Sequence, residues 1–101
     1  MALIKNLVLR FQVALIEKNS VRLDSLFVPR ADLRQKDATE LRNKIFSQET
    51  SNLQIADKRF EIHDSQARVI FTVRTGNSAQ KMSLYLVKYK KDWWIVNYAW
   101  E

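Results

Sequence analysis

The sequence contains no cysteine, and its 101 residues include one histidine, one glycine and one proline. Without cysteine the chain has no disulfide, no thiolate metal site and no cysteine nucleophile. One histidine alone does not supply the ligand set of a typical zinc site, so we expect no metal and no cofactor. The scarcity of glycine and proline leaves little room for linkers or low-complexity segments.

Long hydrophobic runs are absent as well. The apolar stretches at residues 7–9 and 13–16 are short and separated by charged or polar side chains, so neither reaches the length of a membrane-spanning helix. The N-terminus carries Lys5 but lacks the long apolar segment and small-residue cleavage site of a secretory signal. We expect no membrane span, and the sequence leaves the compartment open while favouring the cytoplasm.

What the chain does have is apolar content and positive charge. Hydrophobic residues make up 47% of the sequence, which is typical of a folded chain and predicts a single domain over residues 1–101. The net charge is +6, and residues 65–101 contain six basic residues against two acidic ones. A basic excess attracts anionic partners, so nucleic acid stays open as a partner.

The first half of the chain has helical periodicity. Asn19 and Ser20 are good capping residues and predict a short second helix that ends before Pro29. Asp37 or Thr39 is expected to cap a third helix that runs to about residue 47. The first helix is predicted over residues 3–18, and its apolar residues fall on one stripe: Ile4, Leu7, Val8, Phe11, Ala14 and Leu15.

The hydrophobic period changes to two after residue 50. Strands are predicted over residues 53–63 (with an irregularity near 56–57), 67–74, 80–90 and 93–100. Turns are expected at residues 64–65, 75–78 and 91–92, the second of which contains the only glycine. Three helices followed by four strands predict an α+β domain, in which the helices pack on a four-stranded antiparallel sheet.

Two-residue turns make this sheet apolar on both faces. One face is aliphatic and is assigned to the helices, whereas the other gathers cross-strand pairs Tyr85/Tyr98, Val87/Val96 and Tyr89/Trp94. Because an antiparallel sheet needs only one apolar face against its own core, the second face predicts a contact surface. The predicted interface residues on this face are Arg68, Tyr85, Val87, Tyr89, Trp94, Val96, Tyr98 and Trp100.

Two segments resemble the nuclear-transport-factor-2-like superfamily. Residues 11–32 read FQVALIEKNSVRLDSLFVPRAD and are similar to its opening, and residues 82–100 read MSLYLVKYKKDWWIVNYAW and are similar to its closing hairpin. The resemblance implies a cystatin-like roll with a curved sheet, a cavity between helices and sheet, and dimerisation through the outer sheet surface. Members include isomerases, hydrolases, cyclases, ligand-binding modules and assembly domains, so the fold leaves the function open.

The sequence offers no catalytic set. Enzymatic members of the superfamily place Asp, Tyr or His inside the cavity, and no such set maps onto this chain. His63 stands beside Asp64 at a strand end, where a turn histidine is the favoured interpretation over proton transfer. Candidates for lining a cavity that holds a small apolar ligand are Phe11, Phe60, Phe71, Leu84 and Asn97.

These observations predict a non-catalytic interaction or assembly module that forms a homodimer through its sheet. Another protein, or another domain of a longer parent chain, is the alternative occupant of the aromatic face. A second hypothesis is a platform for single-stranded nucleic acid, with Arg59, Arg68 and Lys81 around Tyr85 and Tyr98. A third is a small enzyme of the isomerase or cyclase type.

Overall fold

Three helices precede four strands in the computed structural model, which describes residues 2–76 and 78–101. The strands form one antiparallel sheet in the order β1-β2-β3-β4, so the predicted α+β class and the antiparallel meander are confirmed. The predicted turn over residues 75–78 includes Asn77, which lies outside the described residues. The elements are α1 (Ala2–Ile16), α2 (Ser20–Asp24), α3 (Thr39–Ile45), β1 (Gln54–His63), β2 (Gln66–Thr75), β3 (Ser78–Tyr89) and β4 (Asp92–Trp100).

The junction between α1 and α2 follows from two adjacent residues. Lys18 has a φ of 51°, and the Asn19 N–H then donates to the Ala14 carbonyl at 3.0 Å, which is the hydrogen bond of a Schellman motif. The Asn19 side chain accepts a hydrogen bond from the Arg22 N–H at 3.1 Å and caps α2. The predicted short second helix with Asn19 as its cap is therefore confirmed.

Helix α3 is fixed to the sheet through its first turn. The Asp37 carboxylate accepts the Thr39 N–H at 3.0 Å. The Tyr98 hydroxyl accepts the Leu41 N–H at 3.1 Å and donates to the Asp37 carbonyl at 2.7 Å. Two of the amide groups that a helix N-terminus leaves without intrahelical partners are thus satisfied, one of them by a side chain of β4.

Strand β4 contains a bulge that the sequence-based register lacks. Leu86 pairs with Ile95 and Tyr85 with Asn97, so Val96 is an extra residue in β4. A one-residue shift moves every later side chain to the opposite face. The predicted pair Tyr85/Tyr98 is therefore wrong. The predicted pair Val87/Val96 is wrong for a different reason, because Val87 pairs with Trp94 on the turn side of the bulge.

The β3–β4 turn also lies one residue earlier than predicted. Lys90 and Lys91 form it, with φ values of 52° and 69°, and Tyr89 pairs with Asp92 instead of with Trp94. Moving the turn by one residue changes the pairing by two positions, so this error alone leaves every side chain on its predicted face.

The outer edge of β4 is covered by the segment between α2 and α3. Phe27 forms a parallel bridge with Ile95, and the Val28 N–H donates to the Ile95 carbonyl at 2.9 Å. The Gln35 N–H donates to the carbonyl of the bulged Val96 at 2.9 Å. Strand β1 is the other edge, and it has its own irregularity between Ala56 and Arg59, as predicted.

The helices and one face of the sheet enclose a continuous apolar core. Phe11 of α1 meets Phe71 of β2 edge to face, with 6.0 Å between ring centroids. Tyr98 meets Phe27 in the same way at 6.0 Å. Among the described residues, none of the helices has the length and apolar character needed to cross a membrane.

Candidate interaction surface on the sheet

The outer face of the sheet is the one turned away from the helices. On β2, Val69 and Phe71 belong to the core, whereas Ile70 lies outside the core cluster although it is only 5% exposed. Alternation along the strands and their register place the following side chains on the outer face: Arg59, Glu61, Arg68, Ile70, Thr72, Lys81, Ser83, Tyr85, Val87, Trp94, Asn97 and Ala99.

An apolar strip crosses β3 and β4 on this face. Val87 pairs with Trp94, and Tyr85 pairs with Asn97 in the adjacent row. Tyr85, Val87 and Trp94 are all half-buried, and the Trp94 Nε1–H donates to the Tyr89 carbonyl at 2.9 Å. The strip therefore presents large apolar side chains whose positions are already fixed within the chain.

Charged side chains lie beside the strip on β1 and β2. The Arg68 Nε–H donates to the carboxylate of Glu61, its cross-strand partner, at 3.1 Å. A hydrogen bond with Tyr85 and the charge of Glu61 both raise the pKa of the Arg68 guanidinium. With the exposed His63, these residues surround a shallow pocket of about 340 Å³.

Three of the predicted interface residues lie elsewhere. Tyr98 pairs with Leu84, is 1% exposed and belongs to the core cluster. Trp100 packs against the core from the same face, with the Lys44 ammonium 4.3 Å from its ring centroid. Val96 is buried at the bulge. The prediction that the tyrosines and tryptophans of the closing hairpin share one face is therefore wrong.

The five other predicted interface residues occupy the outer face or its end. Arg68, Tyr85, Val87 and Trp94 lie on it, and Tyr89 follows at the β3–β4 turn, where it is half-buried. The Tyr89 ring lies between two cations, with 5.4 Å to the Lys90 ammonium and 6.0 Å to the Arg30 guanidinium. Because Tyr98 lies in the core, its ring cannot stack on a nucleic-acid base as the second hypothesis requires. Of the two tyrosines in that hypothesis, Tyr85 alone remains among the basic side chains.

The residues predicted to line a ligand cavity lie in three different places: the packed core, a surface pocket and, for Asn97, the outer face of the sheet. Phe11, Phe71 and Leu84 are at most 1% exposed and belong to the packed core. Phe60 is half-buried and lines a surface pocket with Val8 and Lys58. None of these residues lines the cavity of about 470 Å³ between the end of α3 and the β2–β3 hairpin, which mixes polar residues such as Gln48 and Thr75 with Trp100.

Strict alternation along β4 places Asn97, one of the cavity-lining candidates, on the aliphatic face, and this placement is wrong. After the bulge it pairs with Tyr85 on the outer face. Its Nδ2–H donates to the Gln35 side chain at 3.1 Å, and its Oδ1 accepts the Tyr98 N–H at 2.9 Å. Asn97 thus joins β4 to the loop that covers the strand edge.

Tyr98 is a titratable group that the sequence-based register did not place in the core. Burial raises the pKa of its phenol, and the hydroxyl already has a backbone donor and a backbone acceptor. Among the described residues, no group of three His, Asp or Glu side chains is placed to hold a metal ion.

The chain is similar in structure to solved proteins of the cystatin-like fold. A cystatin-like protein of unknown function from Nostoc punctiforme aligns with a TM-score of 0.70 and 14% identity, over 99% of this chain and 88% of that one. An NTF2-like protein of unknown function from Shewanella baltica gives a TM-score of 0.71 and 14% identity, over 99% and 92% of the two chains.

A protein from Shewanella frigidimarina, provisionally described as a ketosteroid isomerase, gives a TM-score of 0.67 and 17% identity, over 95% of this chain and 92% of that one. No protein-family model and no curated protein sequence matches the chain. The similarity establishes that the chain has the cystatin-like α+β fold that NTF2-like proteins share, as the sequence resemblance implied.

Proposed function

We propose that this chain is a non-catalytic interaction domain that forms a homodimer through the outer face of its sheet. The observation that carries the proposal is the half-buried apolar strip of Tyr85, Val87 and Trp94 on the face turned away from the helices. Large aromatic side chains are enriched in the cores of protein interfaces, where they bury apolar area at a low entropy cost.

The dimensions of the face suit a second copy. The strands contain 9 to 12 residues, so four of them cover roughly 15–20 Å by 30 Å at ordinary strand spacing and rise. A standard interface takes about 800 Å² of accessible surface from each partner. The projected area of the face is about 450–600 Å², so a two-fold dimer of standard size would use the whole of it.

Both charge signs on the same face favour self-association. A two-fold interface brings one surface patch against itself, so each positive group needs a negative group on the same patch. Arg59 and Arg68 lie beside Glu61 at 3.6 Å and 3.1 Å, and Lys81 lies 3.7 Å from Glu101. Each copy can therefore offer carboxylates to the other's arginines.

The core supports the non-catalytic part of the proposal. General acid–base chemistry needs a titratable group within reach of a substrate. The Tyr98 phenol is held in the core by two backbone hydrogen bonds, and Phe11, Phe71 and Leu84 belong to the packed core between the helices and the sheet. The Shewanella frigidimarina protein described as a ketosteroid isomerase has the same fold as this chain, but a common fold does not imply a common reaction.

Analytical ultracentrifugation of the wild type and of Val87→Glu and Trp94→Glu tests the dimer. Each variant places a carboxylate in the apolar strip, where an interface would bury it without a partner. Val21→Glu is the matched control, because Val21 is 80% exposed and lies on helix α2 rather than on the sheet.

We expect the wild type and Val21→Glu to sediment at twice the chain mass of 12.0 kDa, and the two strip variants to sediment at the chain mass. Circular dichroism establishes that all four proteins are folded. A wild type that stays monomeric at high concentration, or strip variants that dimerise as strongly as the wild type, would refute the proposal.

A further inference from the structure

The helices present a second unpartnered surface, whose lining contains no residue of the apolar strip. Helices α1 and α2 border an open groove of about 320 Å³. Its lining consists of Leu9, Arg10 and Val13 from α1 and of Arg22, Ser25 and Leu26 from α2 and the residues after it. Leu9 and Val13 are one helical turn apart, on the side of α1 opposite its buried stripe.

Exposed apolar side chains are concentrated on the same two helices. Leu9 is 57% exposed, and the two neighbouring examples are Leu3 at 52% and Val21 at 80%. In the described part of the chain, one other large hydrophobic residue, Ile62 on β1, is exposed. These two helices therefore expose apolar side chains both inside the groove and outside it.

The charge of the groove has one sign. Both charged residues in its lining are arginines, and α1 contains no acidic residue. Arg22 contacts Glu17 at 3.4 Å in a pair whose two side chains are more than half exposed. Arg10 makes no ion pair with any described residue. An occupant must therefore supply both apolar groups and negative charge.

We propose that this groove binds an acidic amphipathic helix of a partner protein. Leucine-like side chains of that helix enter between Leu9, Val13 and Leu26, and flanking carboxylates pair with Arg10 and Arg22. Binding of an amphipathic helix through apolar anchors one turn apart is a common mode of peptide recognition. Arginine is well suited to hold the carboxylates because its planar guanidinium can donate two parallel hydrogen bonds.

The probe is a synthetic peptide of about 16 residues, a length that supports helix formation. It carries leucines at every third or fourth position and glutamates between them, and a second peptide carries lysines in place of the glutamates. Fluorescence anisotropy measures the affinity of each peptide, and amide chemical-shift changes in ¹⁵N-labelled protein locate the site.

We expect saturable binding of the glutamate peptide, with the largest shifts at the groove and with binding at least about tenfold tighter than that of the lysine peptide. Leu9→Ala and Arg22→Gln should each weaken binding about five- to tenfold. Both substitutions keep good helix formers on exposed positions, so the fold is retained. Ile62→Ala and Lys58→Gln are matched controls on β1 and should leave the affinity unchanged.

Three results would overturn the proposal. One is the lack of saturable binding of the glutamate peptide at millimolar concentration. Another is equal affinity for the two peptides, or affinity that Leu9→Ala and Arg22→Gln leave intact. The third is that the glutamate peptide does not bind, whereas the protein binds vesicles of phosphatidylserine and phosphatidylcholine and this binding is lost in Leu9→Ala and Arg22→Gln. That result would show that the groove binds a lipid surface. Because Val87→Glu and Leu9→Ala alter different surfaces, failure of the dimer and failure of the groove are distinguished.

Discussion

Replacement of Tyr98 by phenylalanine removes one oxygen from the middle of the fold. The Tyr98 hydroxyl donates to the Asp37 carbonyl at 2.7 Å and accepts the Leu41 N–H at 3.1 Å. The Leu41 amide lies in the first turn of α3, where it has no intrahelical acceptor. Tyr98→Phe therefore leaves a buried N–H without a partner, whereas the phenylalanine ring still fills the same space.

The expected loss in the free energy of unfolding is about 2 kcal/mol. A buried donor that loses its acceptor costs about 1–3 kcal/mol, and the second hydrogen bond contributes about 1 kcal/mol, partly offset by the greater apolarity of phenylalanine. For a domain of this size, 1 kcal/mol shifts the melting temperature by about 4–8 °C, so we expect a decrease of about 10 °C. Urea unfolding followed by circular dichroism measures the free energy directly.

Tyr89→Phe is the control, because Tyr89 lies half-buried at the end of the β3–β4 hairpin and should lose less than about 0.5 kcal/mol. A loss below about 0.5 kcal/mol in Tyr98→Phe would contradict the placement of Tyr98 in the core. It would instead support the bulge-free register, in which the hydroxyl points away from the helices.

Three further changes test other parts of the structure. Replacing Lys90 by Asn and Lys91 by Gly should stabilise the fold by about 1 kcal/mol, because the left-handed conformation at both positions favours these residues over lysine. Leu84→Ala should cost about 2–5 kcal/mol, because the side chain is fully buried in a packed core. A hydrogen bond from the Thr39 N–H lowers the pKa of Asp37 below its ordinary value of 3.8. The contribution of this carboxylate is therefore present above that pH and lost as the pH falls through the lower folded-state pKa, so the stability difference between wild type and Asp37→Asn should shrink between pH 6 and pH 2.5.

Urea titrations measure all three effects. A destabilised Asn-Gly variant would contradict the positive φ values of the β3–β4 turn. A Leu84→Ala variant that loses less than about 1 kcal/mol would indicate that the site borders an open cavity. A stability difference between wild type and Asp37→Asn that is the same at both pH values would show that the charge of Asp37 does not stabilise α3.

The strands in the middle of the sheet were predictable because turns on both sides fix them. The β1–β2 turn at Asp64 and Ser65 forms where the sequence predicts it, and the faces of β2 and β3 follow from strict alternation. Val69 and Phe71 point to the core while Arg68 and Ile70 point outward. No residue is inserted between the turns and these positions, so the period of two is maintained.

The end of β4 was not predictable by the same reasoning, because a bulge has no strong signature in a single sequence. One signal was present. A strict alternation puts the polar Asn97 on an otherwise aliphatic face and Tyr98 on the outer one, and a one-residue insertion before Asn97 exchanges the two. The face on which each side chain lies was therefore predicted correctly for Tyr85 and Val87 on β3, and only as far as Trp94 on β4.

The groove between α1 and α2 was not predictable from the sequence either. Leu9 and Val13 belong to a helix whose buried stripe accounts for the periodicity, so the remaining apolar residues carry no separate pattern. Only the position of α2, which brings Arg22 and Leu26 beside them, defines a groove.

The covered edge of β4 limits how this sheet can grow. Since residues 26, 28, 35 and 36 already occupy the hydrogen-bonding groups of Ile95 and Val96 in the middle of this edge, a foreign strand cannot pair along it without displacing them, and fibril-like stacking would start from β1. The backbone of β1 is irregular at Asp57, which has a φ of 57°. The exposed Lys58 and Arg59 follow Asp57 in the strand, and their positive charges would repel the β1 strand of another copy. The molecule is therefore protected against open-ended polymerisation, so any lasting assembly has to be built from its broad surfaces and can close after a fixed number of copies.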